Sequence, residues 1–266
     1  MTVSIPPANQ DNRGLYWVTA PAVLLALLAV MAIGSDANTD WFIRWNQLAL
    51  AVPGFLWAGA TNLGSTAGAY ALLGGALAWR PRWVAAALLA LPAGALYTHG
   101  LKEFFAEARP AAVLDPDQIN IIGKALLTSS FPSGHAVTAF GLAAAVALCS
   151  APSGRRWIAW AALAVATVVA FSRVAVGAHW PLDVLAGGAG GWLCGAIGVW
   201  WSARWRFWNT ARGVRVLAVI VALLSVSLFF EDLGYPEGRW AQYALALWGL
   251  AGALVALATG TRWSRT

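Results

Sequence analysis

His179 and Asp183 stand four residues apart around Pro181, a residue able to open a helix. With Pro181 at the first helical position, the carboxylate can reach back to one imidazole nitrogen and fix the tautomer. The other nitrogen is then left free to attack, which is the orienting logic of a catalytic triad. A second histidine, His135, closes the run Pro132-Ser133-Gly134-His135. Two imidazoles allow nucleophile and acid to be separate residues, as phosphate-ester cleavage without a metal requires. Lys102, Arg109 and Arg173 would surround one point with positive charge, and guanidinium forks match phosphate oxygens bidentately. Ser133 and Gly134 precede an apolar run, so a hydroxyl and free N–H groups at a helix N-terminus can complete the cradle. Gly134, without a Cβ, lets phosphate oxygens come close.

Alone, each group has a plainer reading. A lysine or arginine at a helix end commonly anchors the side chain at the membrane interface. His99, one turn before Lys102 and without a matching pattern, reads as an interfacial or supporting residue. Glu103 and Glu107 can balance Lys102 and Arg109, and Lys124 can be solvated. Convergence is what the plainer readings do not explain.

The elements that must bring these groups together are apolar. Of 266 residues, 60% are hydrophobic and 11% charged, against roughly 25% charged in a soluble domain. Hydropathy places spans near residues 16–34, 54–78, 83–101, 135–151, 157–174, 181–202, 214–230 and 240–259. The expected fold is therefore all-α, a polytopic membrane bundle of eight spans. The second span is diluted by Thr61, Asn62, Ser65 and Thr66, and its small residues suit close helix packing. Gly187, Gly191 and Gly195 recur every four residues on the sixth span and read as a packing stripe.

Arginine placement tests this count. With both termini cytoplasmic, the cytoplasmic segments hold Arg13, Arg80, Arg82, Arg155, Arg156, Arg204, Arg206, Arg212, Arg215, Arg262 and Arg265, with Asp11 the lone acid there. Asp36, Asp40, Glu103, Glu107, Asp115, Asp117, Asp183, Glu231, Asp232 and Glu237 fall on the other side. Trp79, Trp83, Trp157, Trp160, Trp200, Trp201 and Trp205 flank the cytoplasmic loops as an interfacial belt. All the chemistry-bearing stretches lie at the outer face. The formal charge of +6 thus reads as topology rather than nucleic-acid binding. Cys149 and Cys194 sit in apolar runs, as buried thiols would, and the first apolar run reads as a retained helix rather than a cleaved signal. The long outer connection from Lys102 to Phe131 is of functional length, and residues 118–127 alternate well enough for a short interfacial helix.

These residues resemble the signature of the type 2 phosphatidic acid phosphatase (PAP2) family. It is matched by Lys102 with Arg109-Pro110, by Pro132-Ser133-Gly134-His135, and by Ser172-Arg173 with His179 and Asp183. The resemblance implies His179 as a nucleophile forming a phosphohistidine, Asp183 as its orienting partner and His135 as the acid. It implies Lys102, Arg109, Ser133, Gly134 and Arg173 as phosphate-binding residues, without metal or cofactor. A six-helix core over residues 1–203 is implied, leaving 204–266 as an additional C-terminal transmembrane hairpin that could serve packing, a partner or homo-oligomerisation. The implied activity is a lipid phosphate or pyrophosphate phosphatase in a bacterial inner membrane with a periplasmic site, leaning to undecaprenyl pyrophosphate. Lipid A phosphatase, lipid-to-lipid phosphotransferase and phosphatidylglycerol phosphate phosphatase are the alternatives. A non-enzymatic lipid-binding protein would not need an oriented nucleophile, and the haloperoxidases that share such an anion site are soluble.

Overall fold

The computed structural model describes residues 9–33, 36–150 and 156–259. Arg155, Arg262, Arg265, Gly34 and the side chains of Asp11 and Arg13, which entered the expectations above, lie outside what is described. Among the described residues every regular element is helical. The helices are α1 (Asn9–Ala32), α2 (Ala37–Leu48), α3 (Gly54–Asn62), α4 (Thr66–Gly74), α5 (Pro81–Phe105) and α6 (Pro110–Val113). They continue with α7 (Gly134–Ser150), α8 (Arg156–Ala175), α9 (Pro181–Arg204), α10 (Ala211–Ser227) and α11 (Arg239–Thr259).

Four segments are long and apolar enough to cross a membrane: Pro81–Val113, Arg156–Ala175, Pro181–Arg204 and Pro236–Thr259. The chain is an all-helical integral membrane protein. α7 and α10, at 17 residues each, extend about 26 Å at 1.5 Å per residue, slightly less than a hydrocarbon core. The expected span at 54–78 is not one helix. Asn62 and Ser65 break it into α3 and α4, and the Ser65 hydroxyl caps the second piece by accepting from Gly68 N at 3.0 Å. Polar side chains that compete for backbone hydrogen bonds favour such a cap over a continuous helix.

α5, α7, α8 and α9 form the centre of the bundle, with α1 packed on α9 and the α10–α11 pair on α4. The glycine stripe of α9 sets its approach to α7. A Cβ on Gly187, Gly191 or Gly195 would come within 2.6, 2.4 and 2.4 Å of the carbonyl oxygens of Ser133, Val137 and Gly141. Only glycine permits that backbone contact, as the sequence spacing suggested. Because α5 and α8 end where α7 and α9 begin, the four helices deliver Lys102, Arg173, His135 and Asp183 to the same end of the bundle.

Two further elements cap that end. α2, which hydropathy alone left as a loop, buries Phe42 and Asn46 while Trp41 and Trp45 stack at 5.7 Å. The expected helix at 118–127 does not form. A short 3-10 turn at Pro116–Gln118 leads into an extended strap, whose alternation buries Ile119 in the core. Its N–H groups are taken from outside: Asn120 N donates to Asn46 Oδ1 (2.7 Å), Ile122 N to Val176 O (3.2 Å) and Lys124 N to Gly234 O (2.9 Å). With those donors satisfied by neighbouring segments, nothing is gained by coiling.

Candidate active site

Pro181 does open α9, which places Asp183 in its first turn. Asp183 is fully buried, and its Oδ2 accepts from His179 Nδ1 (3.2 Å), Ser130 Oγ (2.5 Å) and Trp180 N (3.0 Å). On the far side of the ring, His179 Nε2 lies 3.2 Å from a terminal nitrogen of Arg109. A guanidinium can only donate, so Nε2 is the acceptor and the proton resides on Nδ1, facing Asp183. That is the tautomer an attacking imidazole needs. Burial, followed by the charges of Arg109, Arg173 and Lys102, holds His179 well below the ordinary imidazole pKa.

The three cations lie around this ring. Arg109 is fixed by carbonyls, donating to Thr128 O (2.7 Å), Ala178 O (2.9 Å) and Ser129 O (3.2 Å). Lys102 Nζ donates to Ser129 O and, at 3.4 Å, to Ser130 O. Ser129 adopts a positive φ of 54°, unusual for a side-chain-bearing residue, and its carbonyl serves both cations. Arg173, only 2% exposed, donates to Thr61 Oγ1 (2.5 Å) and Tyr235 Oη (2.8 Å), while its Nε has no partner. Neither Glu103 nor Glu107 pairs with Lys102 or Arg109; the one ion pair among the described residues is His179–Asp183. The cations are therefore held chiefly by neutral oxygens, and none of them forms a direct ion pair with a carboxylate among the described residues. A buried guanidinium without a direct counter-ion is costly, and an anion bound there would offset that cost.

Ser133 is buried at the start of α7, with its N–H on Asp183 O (3.0 Å) and its Oγ 3.5 Å from Ala136 N. A Cβ on Gly134 would meet nothing nearer than Thr98 Cγ2 at 3.5 Å, so the protein alone does not exclude a side chain there. The space in front of Gly134 is open, as a ligand cradle requires. His135 packs against the α3–α4 break, where a Cβ on Gly64 would lie 3.0 Å from its ring. Lys102, Gly134 and His135 line a cavity of about 390 Å³ that runs between α4, α5 and α7. Its lining includes Thr98, His99 and Ser65 as well as Ala87, Leu91 and Leu142. Ser172 stays apart from this cavity: its hydroxyl is buried and donates to Val169 O at 2.6 Å. Among the described residues no three His, Cys, Asp or Glu side chains are grouped to hold a metal ion.

Residues 83–210 match the model of the PAP2 superfamily, which spans Lys102, Arg109, Ser133 to His135, Arg173, His179 and Asp183. This part of the chain is a PAP2 superfamily domain. Short stretches are similar to curated relatives. They are 42% identical over 67 residues to an undecaprenyl-diphosphatase of Sulfolobus acidocaldarius and 45% over 69 to a putative undecaprenyl-diphosphatase, YbjG, of Escherichia coli. A lipid A 1-phosphatase of Porphyromonas gingivalis is 40% identical over 72 residues. These alignments take in 25–27% of this chain and 29%, 31% and 16% of the three relatives, respectively. Among solved structures, LpxE of Aquifex aeolicus superposes with a TM-score of 0.53 at 27% identity, covering 62% of this chain and 96% of that one. A PAP2-type phosphatidylglycerolphosphate phosphatase from Bacillus subtilis gives 0.52 at 21% identity, covering 71% and 97%, and shares the fold.

Sequence reasoning missed Ser130, Thr61, Tyr235 and Asn46. Lone serine and threonine residues, Ser130 in a loop and Thr61 in an apolar helix, are too common to signal anything, and Tyr235 stands 52 positions beyond Asp183 with no motif around it.

Proposed function

We propose that this chain is a membrane lipid phosphatase that cleaves a terminal phosphate or pyrophosphate through a phosphohistidine on His179. The observation that carries this reading is the clamp on the imidazole: Nδ1 on buried Asp183 and Nε2 turned to Arg109, among three cations none of which is ion-paired to a carboxylate. In the first step Nε2 forms a bond to phosphorus while the bond from phosphorus to the leaving oxygen breaks. His135, on the cavity wall, gives that oxygen its proton. In the second step His135 takes a proton from water, the resulting oxygen attacks phosphorus, and the P–N bond breaks to release phosphate. Lys102, Arg109, Arg173 and the N-terminus of α7 hold the phosphoryl oxygens, and no metal takes part.

The cavity beside His135 favours a leaving group that is polar at the phosphate and apolar beyond it. Its lining mixes the Ser65, Thr66, Thr98 and Thr138 hydroxyls with aliphatic Ala87, Ala90, Leu91 and Leu142, which suits a prenyl or acyl chain joined through phosphate. Undecaprenyl pyrophosphate is the favoured substrate, in keeping with the names of two relatives. A lipid A phosphatase is the second reading, in keeping with the third relative. Charge placement supports a periplasmic site in a bacterial inner membrane. The deciding experiment is phosphate release by purified protein from undecaprenyl pyrophosphate, lipid A, phosphatidylglycerol phosphate and phosphatidic acid, each supplied alone. His179→Ala should lower turnover at least about a thousandfold in folded protein. Near-normal turnover of that variant would refute the nucleophile. Release that appears only after an acceptor lipid is added would replace hydrolysis by transfer. EDTA should leave the rate unchanged, and inhibition reversed by one divalent ion would refute the metal-free route.

A further inference from the structure

We infer that Tyr235, on the α10–α11 connection outside the PAP2 domain, is a positioning residue for the phosphate-binding Arg173, so the C-terminal hairpin completes the active site. The inference rests on the reading of Arg173 as a phosphate ligand. Both side-chain partners of this guanidinium come from beyond residues 83–210: Thr61 from α3 and Tyr235 from the hairpin. The Tyr235 hydroxyl accepts at 2.8 Å, and its ring lies 5.3 Å from the guanidinium carbon, within cation–π range. One side chain thus fixes Arg173 by a hydrogen bond at one nitrogen and by the ring's π face. Neither contact neutralises the charge, and Nε is left without a partner. A carboxylate at this place would hold the arginine equally well and compete with the phosphate.

The connection is docked rather than merely near. Tyr235 is 5% exposed and packs with Ala58, Val176 and Ala178, the last adjoining His179. On one side Lys124 N donates to Gly234 O at 2.9 Å; on the other Asn62 Nδ2 donates to Gly238 O at 2.9 Å. Glycines allow both approaches. A Cβ on Gly123, whose φ is +73°, would lie 2.3 Å from Gly234 O, and one on Gly238 would lie 2.6 Å from Ala58 O. A hairpin serving only to fill lipid-facing volume would not need its outer turn threaded between α3 and the strap beside the catalytic histidine.

Orthovanadate, a phosphate mimic, tests this without turnover, by titration calorimetry on the full-length protein in detergent. Tyr235→Phe keeps the ring and removes the hydroxyl, and should weaken vanadate binding roughly tenfold, the loss expected for one hydrogen bond to a charged group. Tyr235→Leu removes both contacts and should weaken it further. Each should raise KM for the lipid substrate more than it lowers kcat. In an Arg173→Lys background, which retains the charge and should keep a measurable affinity, Tyr235→Phe should change binding by less than about twofold. A purely structural Tyr235 would instead give the same factor in both backgrounds, and that result overturns the inference. So does wild-type affinity in a folded Tyr235→Phe protein. Wild-type protein that binds vanadate but releases phosphate from no lipid would defeat the hydrolase reading alone; wild-type protein that binds no vanadate would defeat both.

Discussion

Asp183 Oδ2 collects three donors while Oδ1, equally buried, has none. The carboxylate is thereby aimed by one oxygen at the imidazole, and Ser130 is the side chain that holds it there from outside α9. Ser130→Ala should lower kcat about tenfold, the loss of one hydrogen bond to a charged acceptor, while KM stays within about twofold. A KM effect of the same size would mean that Ser130 meets substrate instead. The proton state of His179 gives a second check. Its pKa is held well below 6.5 by burial and three cations, so Nε2 stays unprotonated as pH falls through the range where a free imidazole charges. Single-turnover formation of the phosphoenzyme should therefore lose half its rate only below pH 6.5. The phosphate's own ionisation near pH 6 can be followed by phosphorus NMR and divided out. A midpoint at or above 6.5 from the protein would overturn the assignment of His179 as a neutral nucleophile.

At the scale of elements, the site depends on how closely α9 lies against α7. Gly191→Ala would put a methyl 2.4 Å from Val137 O, with no flexible side chain available to yield. The helices would have to part, at a cost of about 1–3 kcal/mol. The variant should melt several degrees lower in detergent, and because Ser133 and Asp183 are joined across the same contact, kcat should fall as well. An unchanged melting temperature would show that α7 and α9 can separate freely. This stripe was readable in the sequence because glycine at every fourth position has one strong physical cause in a membrane helix. The candidate site residues stood out for a related reason: charged groups at apolar helix ends are rare enough to be informative. α2 and the strap at 119–127 were not readable. Their order comes from tertiary partners, chiefly Asn46 donating to Asn120 O and Val174 O, and local periodicity carries no trace of a partner 74 or 128 residues away. The break at Asn62–Ser65 was visible as dilution of an apolar run but was read as helix packing, because polar residues serve either purpose.

For the molecule as a whole, the charges sort along the helices. Arg82, Arg156, Arg204, Arg212 and Arg215 occupy the ends of α5, α8, α9 and α10 that lie away from the site. Arg204 lies over Trp200 at 3.9 Å and Arg82 over Trp208 at 5.9 Å, as cations and tryptophans pair at an interface. Glu231, Asp232 and Glu237 lie on the connection that delivers Tyr235 to Arg173, at the opposite end. α10 must therefore run from the arginine end to the site end, and α11 must return. Under the proposed orientation, the positive-inside bias would turn the site outward and return the chain to the cytoplasm after α11. In a background with Cys149 and Cys194 replaced by alanine, Asp232→Cys should react with an impermeant maleimide from the periplasmic side. Arg206→Cys should react only after the membrane is opened. Labelling of both positions from one side would break the alternation, and with it the argument that α10 and α11 are full crossings. Labelling of Arg206→Cys alone from outside would invert the protein and place the histidine site in the cytoplasm, where the same chemistry would face a different pool of phosphorylated lipids.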